Sequence, residues 1–433
     1  MLDSEAATKT QAVILIVVIV VAGAGGAAAY LLLREEEQSG ETIKIGVCAD
    51  LDQPGGKSIW QGAVLAAEQV NAEGGVLGRN LSIVAEDDDS DTTADSSFAS
   101  AAFTKLITVD EADFTISAYG STYREIASNN KKILFTLSEI TDELTQGVLE
   151  NYDKYKYFFR SGTGNLTSAV NGITDSLVVC RNHTGFNKIA VIYHFIVKDL
   201  VSAINDKLGE YGFDVVLSES ILFNVMDFSS YFAKAEAAGA EILYPFIYGD
   251  VAISFVKEYY DRQSPMIVWG DLRDASTANF WDITEGKCEH IASNGYPVVA
   301  GYPLTSKTVP TKEAYIEIWG EEISWGAAAA YDTVRFILPD AIERAGTIET
   351  DAVIEALEET EVETSLARRF VFTSSHDLMV GEAGPNRPTE DYYLIALFQW
   401  QDGEMVPVCP IEIMEEAGAT YIYPDWPGPW DEQ

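Results

Sequence analysis

Gly55-Gly56-Lys57-Ser58 stands between an apolar strand pattern and an amphipathic helix pattern, and it imitates the end of a phosphate-binding loop. A P-loop cradles phosphates with backbone N–H groups and needs a glycine five positions before its second one. Here that position is Leu51, and Pro54 precedes the glycines, so the phosphate reading fails. The location keeps its meaning, because a loop at the carboxyl end of a strand, facing a helix N-terminus, is where α/β folds hold small ligands. Other reactive residue types are scattered. His183, His194, His290 and His376 form no local metal pair and read as surface or structural residues. Asp87-Asp88-Asp89 has the composition of a calcium-binding run, and its simpler reading is a solvated strand end. No G-x-S-x-G elbow, H-E-x-x-H pair or C-x-x-C motif occurs. These residues lead to the expectation of no catalytic residues, no cofactor and no metal, and so of no enzyme.

The elements that must position such a loop are legible as alternating periods. A strand from Ile43 to Cys48 leads through the Gly-rich loop to a helix over 58–73, whose Ile59, Ala63, Ala66, Ala67 and Val70 form one stripe. A second strand over 81–85 completes a βαβ unit. Strands are expected at 113–117 and 133–136 around a helix near 122–130. A second series runs helix 165–179, strand 188–193, helix 198–211, strand 213–219, helix 228–239, strand 241–246, helix 249–262 and strand 266–269. Later come a strand at 297–300, helices near 312–321 and 326–344, and strands at 369–372 and 394–400. The repetition is of architecture and not of sequence, and it predicts an α/β chain with two doubly wound parallel-sheet lobes.

Composition bounds the partners. The chain has 433 residues, enough for two ordinary domains, and its 47% apolar fraction is globular. Lys and Arg number 28 against 68 Asp and Glu, a net charge of −40 that repels nucleic acid. Ala12 to Leu33 carries no charge, and as a helix it reaches about 33 Å, enough for a bilayer core of about 30 Å. It reads as an uncleaved transmembrane signal anchor, with cleavage as the alternative, followed by a solvated tether at 34–41. The sequons at Asn80, Asn165 and Asn182 tilt the globular part outward. Cys48 reads as a free core thiol, while Cys180, Cys288 and Cys409 leave room for one disulfide with no pair singled out.

The segment QGAVLAAEQVNAEGGVLGRNLSIVAEDD, with the preceding KIGV strand, resembles the extracytoplasmic solute-binding proteins of branched-chain amino acid ABC transporters. The later ILFTLSEITDEL, KIAVIYHFIVKDLVSAINDKLGEYG, GAAAAYDTVRFI and ALFQWQDGEMVPV stretches fit the same pattern, over about residues 43 to 410. An N-terminal span in place of a lipid anchor looks like the archaeal members. The resemblance implies the type I periplasmic-binding fold, two lobes joined by a multi-crossover hinge that close on a small ligand. It divides the chain into a short tail at 1–11, the anchor at 12–33, the tether at 34–41, one lobe at 42–160 plus 300–369, the other at 161–299 plus 370–413, and a C-terminal tail at 414–433. Carried over by position, the family's ligand contacts fall on Gly55, Gly56, Lys57 and Ser58, on the turn Gly120, Ser121 and Thr122 that would grip an α-carboxylate, and on Glu139 and Thr141. The other lobe would add Tyr248 and, for an ammonium group, Asp271 after a one-residue slip. Glu139 departs from the pattern, which has a small residue there, and Ile196 replaces an aromatic. The function implied is a membrane-tethered receptor, single-pass with its globular part extracellular, that passes an amino acid or amide to a permease. A ligand-sensing ectodomain or a surface-assembly protein on the same fold is the alternative.

Overall fold

The structure is a computed structural model, and it describes residues 42–89, 96–277, 279–381, 392–393 and 396–432. The expected anchor at 12–33 and tether at 34–41 lie outside these residues. Among the described residues no helix is long and apolar enough to cross a membrane.

β-branched and aliphatic runs become buried parallel strands. β1 (Ile43–Ala49) lies between β2 (Leu81–Asp87) and β3 (Phe114–Ser117), with β4 (Ile133–Thr136) and β5 (Phe158–Arg160) beyond, in the order β2-β1-β3-β4-β5. All these pairings are parallel. A central parallel strand is covered on both faces, which explains why β1 is apolar almost throughout. Ile45 and Val47 enter one core, while Cys48 faces another with Phe103, Leu106 and Tyr123.

The second sheet has the order β14-β13-β10-β9-β8-β6-β7. Its parallel part comprises β6 (Lys188–His194), β7 (Asp214–Ile221), β8 (Ile242–Ile247), β9 (Ile267–Leu272) and β10 (Ala292–Gly295). β13 (Ala396–Gln401) and β14 (Glu404–Cys409) add an antiparallel hairpin turned at Asp402-Gly403, both at positive φ as a tight two-residue hairpin loop requires. The short pair β11 (Glu361–Val362) and β12 (Phe370–Val371) stands apart.

The stripe of the first helix is buried as its period demands, but the helix begins earlier than expected, at Pro54, and ends at Ala72. Proline suits the first helical position, since its fixed φ is helical and its missing N–H has no partner there anyway. Gly55 to Ser58 therefore form a helical first turn and not a loop. Two glycines in this helix are there for close approach. A Cβ on Gly56 would stand 2.1 Å from the carbonyl oxygen of Asp50, and one on Gly62 would stand 2.1 Å from that of Ala327. The second contact joins the helix to Trp325–Asp332, whose Ala327 to Ala330 are fully buried. Gly62→Ala should cost about 1–3 kcal/mol, because backbone and not a flexible side chain must yield. A lowered urea midpoint at unchanged slope checks it.

Three sequence expectations change here. The strand placed at 297–300 is a helical turn, Pro297–Ala300, and the strand is Ala292–Gly295. Its small polar residues are held from outside: Ser293 accepts the N–H of Leu272 at 2.9 Å, and a Cβ on Gly295 would meet Phe398 at 3.0 Å. Chain segments also sort differently. Val298, Val299, Phe370, Phe372, Leu378 and Tyr393 pack in the first lobe's core, whereas Tyr421, Trp426 and Trp430 of the expected tail pack in the second. Finally, Cys48, Cys180, Cys288 and Cys409 are all buried free thiols, so no disulfide forms among them. Burial pushes the Cys288 thiol up to about 12, far from a reactive thiolate.

Candidate ligand site between the lobes

Strand carboxyl ends set the site. β5 ends at Arg160 and the chain crosses to the second lobe through 161–165, where Asn165 caps the helix Leu166–Thr184 by accepting the Ser168 N–H at 2.8 Å. The same side chain donates to Asp377 at 2.9 Å, so the Asn165 sequon is consumed by structure. Thr167 at the start of this helix bonds Asp142 through its hydroxyl at 2.7 Å and its N–H at 3.1 Å. The helix N-terminus thus lies beside the carboxyl ends of β4 and β5. The left-handed turn at Gly185 returns the chain into β6, which places the carboxyl edge of the second sheet on the same side.

From the first lobe come three segments. Lys57 pairs with Glu321 at 3.1 Å, and the Ser58 hydroxyl bonds the Gly55 carbonyl and the Ser324 hydroxyl, each at 2.7 Å. After β3, the turn Gly120 to Thr122 precedes the short helix Arg124–Asn129. After β4, Glu139 reaches back to that turn. Its Oε2 accepts the N–H of Gly120 at 2.7 Å and of Ser121 at 2.8 Å, while its Oε1 accepts the Ser121 hydroxyl. The Thr141 carbonyl accepts from Arg160 at 2.6 Å, and Thr141 leads into the helix Asp142–Glu150.

The second lobe contributes residues at the ends of β8 and β9. Tyr248 donates its backbone N–H to His194 Nδ1 at 3.3 Å, and its ring lies 4.7 Å from the guanidinium of Arg273. Burial raises the Tyr248 phenol well above its ordinary range, with Asp271 adding to the rise and Arg273 opposing it. Tyr296 feels the same two charges and is pushed up to about 12, again first by burial. It stacks on Trp325 at 5.5 Å between ring centres. Trp325 follows Ser324, the partner of Ser58. A line of contacts therefore runs from Ser58 through Ser324 and Trp325 to Tyr296, and Tyr296 and Tyr248 both feel the charges of Asp271 and Arg273.

Sequence reading missed Arg273, Tyr296 and Trp325. Only the position of Arg273, two residues past Asp271 at a strand end, was a usable signal. Trp60, in the first helix, is 4% exposed and packs on Trp319, so it belongs to the core. His194, His290 and His376 are buried, so they are structural and not surface residues. The acidic strand end gathers Asp50, Asp87 and Asp89 with oxygens within 4.8 Å of one another, and Asp87 accepts the N–H groups of Leu51 and Asp89.

Chemically, the line offers a clamp of aromatic faces and charges. A family model described as periplasmic binding protein matches residues 42–384. The chain belongs to that family. Within it, the binding protein is similar to Leu/Ile/Val-binding protein homolog 7 of Brucella abortus, 23% identical over 81% of this chain and 86% of the relative. Among solved structures it is similar to a candidate branched-chain amino acid ABC transporter from Silicibacter pomeroyi, with a TM-score of 0.76, 21% identity, and coverage of 90% of this chain and 100% of that one. A branched-chain amino acid substrate-binding protein of Streptococcus pneumoniae, in complex with isoleucine, superposes with a TM-score of 0.65 at 19% identity, covering 85% and 100%. A solute-binding protein of R. palustris in complex with benzoate gives 0.64 at 16%, covering 85% and 95%. The binding protein has the α/β fold with parallel-sheet lobes of these relatives, a fold of substrate-binding proteins and not of enzymes.

Proposed function

We propose that this binding protein is a membrane-tethered extracytoplasmic receptor that closes on a small polar solute, an amino acid or amide, and delivers it to an ABC permease. The observation that carries the reading is the run of contacts from Ser58 through Ser324 and Trp325 to Tyr296, together with Tyr248 on the second lobe, whose ring lies against the Arg273 guanidinium and which, like Tyr296, feels the opposite charges of Arg273 and Asp271. Such convergent polar groups among aromatic walls are the makings of a small-molecule site. Similar structures name isoleucine, leucine and benzoate as bound molecules, all compact solutes with an apolar body. The tether, the extracellular placement of the globular part and the permease rest on the apolar 12–33 segment and on the family. In this reading Gly120, Ser121, Glu139 and Thr141 form the wall of the first lobe, and Tyr248 and Asp271 that of the second. Gly55 to Ser58 support the wall through Ser324.

The test uses the full-length chain in mild detergent, unfolded and refolded to strip any carried ligand. One member of an amino acid and amide panel should raise the melting temperature by several degrees. A ligand at a hundredfold excess over Kd adds about 2.7 kcal/mol to the folded state. A flat melting temperature across the whole panel would sink the reading.

A further inference from the structure

We propose that Glu139 sets the specificity of the site by filling its anion cradle with the chain's own carboxylate, so that the solute presents a hydrogen-bond donor there, an amide or ammonium, and not a carboxylate. The inference rests on the receptor reading and narrows its ligand class.

Three donors from two consecutive residues converge on one carboxylate. The N–H groups of Gly120 and Ser121 reach Oε2 at 2.7 and 2.8 Å, and the Ser121 hydroxyl takes Oε1. Donors aimed together in this way constitute an anion site, and bonds to an ionised acceptor are about twice as strong as neutral ones. The occupant comes from 18 and 19 residues along the chain, so the site is filled between two loops and not by a neighbouring turn. A tethered carboxylate competes at an effective concentration on the order of millimolar or above, which a free carboxylate at micromolar levels does not overcome.

Displacement would carry a second cost. The expelled Glu139 charge would have to sit near the incoming carboxylate, and like charges in contact repel. The buried cation that feels Glu139, Arg160, is already committed to Asp377 and the Thr141 carbonyl. Arg160 is fully buried and cannot swing out to neutralise a newcomer.

The filled cradle also defines what it can receive. An ionised carboxylate offers about four acceptor positions, and three are taken. The remaining position is an acceptor carrying negative charge, which would complement an N–H group on the solute. The same body should therefore bind as an amide or amine where its acid does not.

Matched pairs with a single polar group test this: 4-methylpentanoate against 4-methylpentanamide and isohexylamine, and benzoate against benzamide and benzylamine. Binding is measured by calorimetry on the refolded full-length chain. The wild type should favour the amide or amine of a responding pair by tenfold or more. Glu139→Ala empties the cradle and should gain at least tenfold for the acid of that pair, and Glu139→Gln, which keeps the size and loses the charge, should gain in the same direction. Melting curves confirm that both variants are folded. A wild type that prefers the acid, or variants that gain nothing for it while the wild type binds the amide, would overturn the inference alone. Silence of wild type and variants toward every compound would overturn the receptor reading, and this inference with it.

Discussion

Arg160→Met should lower the stability of the folded chain by about 3–5 kcal/mol, the usual consequence of leaving one partner of a buried ion pair without its counter-charge. Arg160 is fully buried, pairs with Asp377, and donates to the Thr141 carbonyl at 2.6 Å. Its backbone is bonded to the same passing segment, with its N–H on the His376 carbonyl at 2.9 Å and its carbonyl accepting from Leu378 at 3.0 Å. One residue thus joins β5, the 376–378 segment and the loop that carries Glu139. Burial lowers the Arg160 guanidinium and raises the Asp377 carboxyl, and their mutual attraction only partly opposes both shifts. The loss arises because Asp377 stays behind, buried without its counter-charge. A carboxyl whose folded pKa is raised contributes stability that is fully present below its unfolded value and is lost as pH rises through the folded one. Without Arg160 that rise grows. The deficit of the variant, measured by urea unfolding, should shrink as the pH falls toward the ordinary carboxylate range. Arg160→Met with Asp377→Leu should recover much of the loss at pH 7, and a double variant as unstable as the single would refute the account.

How much of this was legible in the sequence depends on the range of the interaction that decides each feature. β4 matches its sequence reading residue for residue, and β6 and β8 lie within one residue, because runs such as KIAVIY carry the β-branched signal locally. The strand Ala292–Gly295 carries no such signal. Its Ala-Ser-Asn-Gly sequence becomes a strand because β9 and β13 flank it, so tertiary pairing overrode propensity. Gly55 to Ser58 were read as loop from their glycines, whereas Pro54 as a helix start decided the matter. At the site, the strand ends that carry Ser121, Glu139, Tyr248 and Asp271 followed from the alternating elements. The engagement of Glu139 by Gly120 and Ser121 did not, since two loops after different strands must meet for it to exist. Tyr296 and Trp325 stack across a lobe crossing, a contact without any periodic trace.

The C-terminal residues give the same lesson with a number attached. A Pro- and Trp-rich stretch after the last strand pair reads as a tail, yet Trp426→Ala should cost about 3–5 kcal/mol, the range for truncating a buried aromatic. Trp426 is 6% exposed, donates its indole N–H to the Ser264 carbonyl at 2.8 Å, and meets Tyr259 and Tyr260 edge-on at 5.5 and 5.6 Å. Both tyrosines belong to the helix Asp250–Arg262, which begins two residues after Tyr248. The segment is also fixed by polar contacts. Gln399 in β13 accepts the N–H of Ile422 at 2.9 Å and donates to its carbonyl at 2.8 Å, mimicking one more strand pairing. The truncation removes ring area and strands the Ser264 carbonyl, and the helix cannot move in to close the cavity because Phe228 and Phe232 hold it at Phe255. Ile422→Ala is the matched control, since Ile422 is 37% exposed and should lose well under about 1 kcal/mol. Urea unfolding of both variants decides the matter: a solvated tail would leave both midpoints in place, whereas a tail that completes the second core lowers only that of Trp426→Ala.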